Sequence, residues 1–310
     1  MSQGNDAQEG TRCGFVAVLG APNAGKSTLV NDLVGTKVSI VSPKVQTTRT
    51  IVRGIALKDQ SQIVFVDTPG IFEGAKRRLE RAMVSVAWTG AEDADAILLV
   101  VDGARSLEDN TKAILTALAK RQKTRKTPVM LVVNKVDAAK KENLLELTTW
   151  LNEAVDFAET FMVSALSGDG TDRILEVLTK AMPLSPWLFP EDDVSDMPQR
   201  LLAAEITREK LFLSLRQELP YDCMVDTDSW KEFQDGSARI DQTVYVTRDS
   251  QKPIVLGKGG KGIKAVGEQA RKELESLLGR RLHLFLHVKV EPKWRERRSH
   301  FSAWGLDFDA

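Results

Sequence analysis

Residues 20–27 read Gly20-Ala21-Pro22-Asn23-Ala24-Gly25-Lys26-Ser27, and Thr28 follows. A glycine-rich turn of this kind between a strand and a helix points successive backbone N–H groups inward, where the helix N-terminus also favours negative charge. Lys26 can then reach phosphate oxygens, and Ser27 offers a hydroxyl to Mg²⁺. The flanks suit that geometry. Phe15-Val16-Ala17-Val18-Leu19 is a strand-length apolar run, and Lys26 to Val34 has helical spacing before Gly35 stops it. The stretch predicts a strand, a loop and a helix built to hold a polyphosphate, with residues 20–28 as its binding set.

Working outward, Ile63-Val64-Phe65-Val66 reads as a strand and runs into Asp67-Thr68-Pro69-Gly70. Asp67 is placed to hold Mg²⁺ through water, and the Gly70 N–H to meet a γ-phosphate. Gln46-Thr47-Thr48-Arg49 lies between the first helix and this strand, and Thr48 is the hydroxyl taken to cap the metal. Further on, the buried-strand pattern Pro128-Val129-Met130-Leu131-Val132-Val133 leads into Asn134-Lys135-Val136-Asp137. Guanine presents two donors on one edge, N1–H and N2–H₂, which a carboxylate such as Asp137 accepts together. Adenine lacks that pair, and a site built for a donor rejects a base without it. Phe161-Met162-Val163 then ends at Ser164 and Ala165, a small-residue turn suited to a backbone contact with guanine O6. The ligands expected are GTP or GDP with Mg²⁺ on Ser27, Thr48 and Asp67. Lys26, Thr48 and Gly70 are the candidates for stabilising charge during hydrolysis, and there is no evident covalent nucleophile.

The chain has 310 residues, 42% of them hydrophobic, with 43 basic and 43 acidic side chains. Length predicts about two domains. Cys13 and Cys223 are far apart and read as free thiols of a reducing compartment. With three histidines and two distant cysteines, no zinc site is expected. Residues 1–12 read as a polar, disordered tail without the pattern of a secretory signal, and the apolar runs are too short to span a bilayer. Three prolines within residues 183–190, followed by acidic residues, mark a linker over 183–199. Upstream, over 13–182, strands alternate with helices in the manner of a doubly wound, mostly parallel α/β sheet.

Downstream, over 200–292, the order becomes helix, strand, strand, helix, helix, strand, a small α+β unit. Inside it Gly257-Lys258-Gly259-Gly260 satisfies GxxG, the loop with which KH domains clamp four single-stranded nucleotides. Lys261 and Lys264 adjoin it, and all six residues are the RNA-binding candidates. Lys252 to Arg298 holds thirteen Lys or Arg against five Asp or Glu, net +8 in a chain that is neutral overall. Such segregation is the footprint of a polyanion site. Residues 293–310 read as a basic tail in which Trp294 either stacks on a base or anchors the segment.

Across about Cys13 to Val290, the motif order resembles the Era family, bacterial translation-factor-related P-loop GTPases that carry a type II KH domain. The resemblance implies a GTP-hydrolysing switch that binds the 3′ end of 16S ribosomal RNA and acts in small-subunit assembly. DNA is not among the expected partners. The expected location is the cytoplasm, with room for a weak peripheral fraction at the inner membrane. Two positions modify the picture. Ile71 stands where Ras-like switches place a water-orienting glutamine, so turnover is expected to be slow. Asn23 matches a loop asparagine that in relatives helps to hold K⁺, which makes potassium stimulation an expectation. Gly259 departs from the more usual polar residue in the clamp loop. The residues alone leave open a signalling or membrane-associated GTPase whose basic C-terminal unit binds protein or anionic lipid, although no lipidation motif supports an anchor. An ATP-driven P-loop enzyme is a third reading, opposed by Asp137.

Overall fold

In the computed structural model, which describes residues 10–310 apart from Glu73 and Lys76 and the side chains of Ser299 and Ala303, the apolar runs become buried strands. Residues 1–9, most of the expected disordered tail, lie outside the described residues. The chain divides into two units, one comprising the chain up to Ser39, Thr48–Asp196 and Asp309–Ala310, the other Ile40–Thr47 and Met197–Phe308.

The first unit runs β1 (Arg12–Leu19), α1 (Lys26–Val34), β2 (Val52–Lys58), β3 (Ser61–Asp67), α2 (Arg78–Glu92), β4 (Ala96–Asp102), α3 (Asp109–Gln122), β5 (Val129–Asn134), α4 (Lys141–Ala154), β6 (Thr160–Val163) and α5 (Thr171–Ala181). Its six strands lie in the order β2-β3-β1-β4-β5-β6. Only β2 is antiparallel to its neighbour. Parallel strands covered by helices read as continuous apolar runs, and β5 is buried along its whole length. Leu19, Leu99, Leu131 and Val133 meet Ala87 of α2, Ile114 of α3 and Leu151 of α4 in one core cluster. Each such large side chain contributes about 1.5–3 kcal/mol by burial. The shared direction of β1, β3, β4 and β5 brings Leu19, Asp67, Asp102 and Asn134 to their carboxyl ends, where the loops of such sheets bind ligands. The proline-rich stretch read as a linker stays with this unit as far as Asp196, bridging to Arg12 and Gly54 through Leu184 and Ser195.

The second unit runs α6 (Gln199–Ser214), α7 (Leu219–Asp222), β7 (Met224–Glu232), β8 (Ala238–Val246), α8 (Lys252–Leu256), α9 (Lys261–Leu278), β9 (Leu282–Val290) and α10 (Arg298–Ala303). Its sheet order is β7-β8-β9, with β8 antiparallel to β7 and parallel to β9. One core cluster joins Ala203 and Ile206 of α6, Ile240 of β8, Ala270 and Leu274 of α9 and Leu282 of β9. The buried polar groups of β8 are satisfied. Thr207 Oγ1 donates to Gln242 Oε1 at 2.7 Å, and Gln242 Nε2 donates to Thr227 Oγ1 at 3.2 Å.

Two segments depart from the sequence reading. Ile40–Thr47, expected within the first domain, belongs to the second unit, where Ile40 enters the core. There the Val41 N–H donates to Glu209 Oε1 at 2.7 Å, and Arg208 Nη2 donates to the Thr47 carbonyl at 2.5 Å. The stretch expected as a basic tail is folded from Trp294 onward. Trp294 and Phe301 are fully buried, and Trp294 Nε1 donates to the Asp222 carbonyl at 3.0 Å. Of the two roles considered for Trp294, anchoring is the one it has. Replacing so large a buried ring leaves a cavity, so Trp294→Ala is expected to destabilise the second unit by about 3–5 kcal/mol. Chemical denaturation checks this, and a loss under about 1 kcal/mol would contradict the anchoring role.

Candidate functional site

The phosphate loop turns between β1 and α1 with Asn23 at φ 63° and Gly25 at φ 96°. A Cβ on Gly25 would come within 2.1 Å of Asn134 Nδ2, so this glycine is required by the close approach of the base-recognition strand. Lys26 is 6% exposed and donates to the carbonyls of Gly20 at 3.1 Å and Ala21 at 3.0 Å. Burial pushes its ammonium down to about 8, partly opposed by the charge of Asp67. A phosphate group within reach of Nζ compensates that desolvation, as a buried cation demands. Ser27 and Thr28 open α1 directly behind it.

Ser27, Thr48 and Asp67 come together as the sequence proposed. Ser27 Oγ donates to Asp67 Oδ2 at 2.6 Å and lies 2.9 Å from Thr48 Oγ1. Ser39 was missed. Its Oγ also donates to Asp67 Oδ2, at 2.7 Å, from a loop position carrying no motif. Asp67 Oδ1 is buried without a hydrogen-bond partner among the described residues, and burial raises the carboxyl above its usual range. A set of hard oxygen donors with one orphaned carboxylate oxygen fits Mg²⁺, whose charge holds the carboxylate ionised. Beyond β3, Thr68 Oγ1 donates to the Val18 carbonyl at 2.9 Å. Pro69 is buried, and Gly70 lies against Pro22 of the phosphate loop. Ile71 is 5% exposed within the core, so no side chain at that position reaches out to orient water.

Asn134 ties the nucleotide loops together. Its Nδ2 donates to the Ala24 carbonyl at 3.0 Å, while its Oδ1 accepts the Ala165 N–H at 2.9 Å and the Lys135 N–H at 2.8 Å. The Ala165 N–H read as a contact for guanine O6 is thus engaged by Asn134 here, and neighbouring Ser164 Oγ is buried without a partner among the described residues. Lys135, at φ 63°, donates from Nζ to the Asn23 carbonyl at 2.7 Å and to Asp102 Oδ2 at 2.6 Å. Asp102 was also missed, though a strand ending in Asp beside Asn134 in register was a usable signal. Asp137 is exposed in the following turn, and its carboxylate makes no hydrogen bond or ion pair among the described residues.

In the second unit, Gly257-Lys258-Gly259-Gly260 joins α8 to α9, with all three glycines at positive φ, 70°, 58° and 76°. A Cβ on Gly257 would meet the Gly262 nitrogen at 2.8 Å, whereas nothing lies within 4 Å of one on Gly259 or Gly260. The loop's outer side is therefore open for a backbone to approach. Gly260 caps the 18-residue α9, whose first N–H groups favour phosphate. Lys258, Lys261 and Lys264 are exposed around it, and Ile254 of α8 is 61% exposed beside them. Among the described residues no helix is long and apolar enough to cross a membrane.

A phosphate loop, an Mg²⁺ oxygen set and a guanine-selective tetrapeptide on one parallel sheet, followed by a GxxG unit, define a P-loop GTPase with a KH domain. A family model described as 50S ribosome-binding GTPase matches residues 15–135, and a KH domain model matches residues 218–295. GTPase Era of Afipia carboxidovorans is 55% identical over 96% of this chain and 95% of its own length. That of Sinorhizobium medicae is 56% identical over 96% and 94%. Two solved structures each show 39% identity and a TM-score of 0.88, covering 95% of this chain and 99% of theirs. One is a variant of Aquifex aeolicus Era bound to GDP·AlF₄⁻, the other Era in complex with MgGDPNP and nucleotides 1506–1542 of 16S ribosomal RNA. The chain belongs to the Era family of GTPases.

Asp137, exposed in the turn after β5, is the candidate for base discrimination. Asp137→Asn places an amide donor against a guanine donor, and GDP affinity is expected to fall at least about 10²-fold. Xanthosine diphosphate, which presents an acceptor at that edge, should gain instead. Calorimetric titration with both nucleotides checks this, and unchanged guanine preference would remove Asp137 from the site.

Proposed function

We propose that this GTPase is a nucleotide-driven switch which captures single-stranded RNA near the 3′ end of small-subunit 16S ribosomal RNA and acts in small-subunit assembly in the cytoplasm. The observation that carries the reading is the presence in one chain of a guanine and Mg²⁺ site and an open GxxG loop capping a long helix. A relative that covers nearly the whole chain has been solved with such an RNA, which supports the choice of partner.

Hydrolysis is direct attack of water on the γ-phosphate. Ser27, Thr48 and Asp67 would hold Mg²⁺, which would supply neutralisation of the phosphate charge. Lys26 binds the β/γ oxygens, and the Gly70 backbone N–H orients the γ-phosphate at the point where Gly70 meets Pro22. With Ile71 buried, positioning of water falls on backbone groups, and intrinsic turnover is slow. Asn23 holds K⁺ in our reading. It adopts the left-handed conformation that Asn tolerates, and its carbonyl is fixed by Lys135.

Gly260→Asp puts a carboxylate on the open side of the clamp, where an added Cβ has no heavy atom within 4 Å, and is expected to cut crosslinking to the RNA at least about tenfold while leaving GTP binding intact. RNA capture that ignored both this change and the exchange of GTP for GDP would defeat the switch reading. Turnover should be faster in potassium than in sodium buffer, and Asn23→Ala should abolish the difference. Equal rates for the unaltered chain in the two buffers would remove the ion from the account.

A further inference from the structure

The second unit contains a cavity of about 420 Å³ to which the GxxG loop contributes nothing. It opens at β7, the edge strand farthest from β9. Its walls include Arg200 of α6, Asp226 of β7, Tyr245 of β8, and Arg297, His300 and Trp304 of the C-terminal segment. His300 and Trp304 are stacked, with centroids 5.9 Å apart and planes 28° apart, and the Tyr245 ring lies 6.4 Å from His300. Without the folded C-terminal segment this wall would not exist.

Three unspent polar groups accompany the rings. His300 is 7% exposed, and its Nε2 has no hydrogen-bond partner among the described residues. An orphaned buried ring nitrogen carries a desolvation cost that a ligand can recover. Burial lowers its basicity, leaving a neutral imidazole that stacks and exchanges one hydrogen bond. Arg200 uses only Nη2, on the carbonyls of Thr227 at 2.6 Å and Asp228 at 3.0 Å, which leaves its other guanidinium nitrogens without a bond among the described residues. The Asp226 carboxylate likewise makes no hydrogen bond or ion pair among them.

A ligand for this set needs a flat ring for the aromatic wall, an anionic group for Arg200, and a hydroxyl or amino donor for Asp226; Arg297 is already paired with Glu291. A simple anion has no use for the rings and is repelled by Asp226. A neutral aromatic molecule has no use for Arg200. A nucleotide supplies all three, and base stacking on aromatic side chains is a sequence-tolerant source of affinity. We propose that this cavity holds one nucleotide of a single-stranded RNA, with its base against the His300 and Trp304 pair, its phosphate toward Arg200 and its donors on Asp226. The site lies at the β7 edge, whereas the clamp loop opens α9, which packs on α6 and β9. It is therefore a second RNA subsite rather than part of the clamp.

The proposal rests on the RNA reading above, yet the two fail separately, because Gly260→Asp alters the clamp and leaves the cavity untouched. The test uses the full chain saturated with GDP and Mg²⁺ and labelled with ¹⁵N-histidine. Only His283, His287 and His300 then give imidazole signals, and His300→Phe assigns the third. Each of the four 5′-nucleoside monophosphates, inorganic phosphate and a short single-stranded ribo-oligonucleotide are titrated in turn. We expect a monophosphate and, more tightly, the oligonucleotide to shift the His300 nitrogens while His283 and His287 stay fixed under the monophosphate. Asp226→Asn and Arg200→Gln, both at exposed positions, should each weaken this about tenfold. A His300 signal unmoved by every nucleotide, or moved equally by inorganic phosphate, overturns the site. A monophosphate that binds as tightly as the oligonucleotide overturns its assignment to an RNA strand.

Discussion

One amide holds the nucleotide site together. Asn134 ends β5 and spends its side chain on the Ala24 carbonyl of the phosphate loop and on the Ala165 N–H of the turn after β6. The phosphate end and the base end of the ligand are thereby fixed relative to one another before any nucleotide arrives. The approach is close enough that Gly25 can carry no side chain. Lys135 adds a second tie, to Asn23 and Asp102, so the ends of β4 and β5 and the phosphate loop form one polar knot above an apolar sheet. Preorganisation of this kind is what lets a ligand spend its binding energy on recognition rather than on ordering loops.

Beneath that knot lies a charge problem which only the ligand solves. Lys26 and Asp67 are both buried, and burial shifts each toward its neutral form. Ser27 and Ser39 both donate to the same Asp67 oxygen, while the other oxygen has no partner among the described residues. Buried ionisable groups left short of partners are costly in a folded chain. An anion at Lys26 and a cation at Asp67 would relieve both. Thr48 and Ser39, drawn to the same few ångströms from opposite ends of the Ile40–Thr47 segment, belong to that arrangement.

What the sequence made legible was what is local. The phosphate loop, Asp67-Thr68-Pro69-Gly70 and Asn134-Lys135-Val136-Asp137 each follow a strand, and their chemistry is contained in a few consecutive residues. Ser39 could not be read in this way, because its role depends on a 2.7 Å approach to a carboxylate 28 residues away across an unpatterned loop. Asp102 was legible in principle, since register pairs it with Asn134. The C-terminal segment misled for a physical reason. Its charge reads as a basic tail, but Trp294, Phe301 and Trp304 among those charges are buried, with Trp304 packed against both of the others. Ile40–Thr47 misled likewise, since neighbourhood in sequence placed it with the first unit while the burial of Ile40 places it with the second.

The folded segment also changes what the basic charge of the second unit is for. Of the thirteen basic residues between Lys252 and Arg298, Arg295 is committed to Asp222 and the Tyr221 carbonyl, Arg297 to Glu291, Arg280 to Glu232 and Arg271 to Glu275. Arg298 lies over Phe308. These guanidiniums hold the fold, and their charge is largely balanced where it stands. Lys252, Lys258, Lys261 and Lys264 are exposed, and none of them forms an ion pair among the described residues. They surround a loop in which Gly259 and Gly260 leave room for a backbone. Phosphate contacts from flexible, hydrated ammonium groups set affinity without reading sequence, so on the proposed RNA reading the lysines would supply grip and salt dependence. Stacking on the aromatic wall at His300 and Trp304 would add affinity that is equally tolerant of sequence, so any choice among bases would fall to polar groups such as Asp226 beside it.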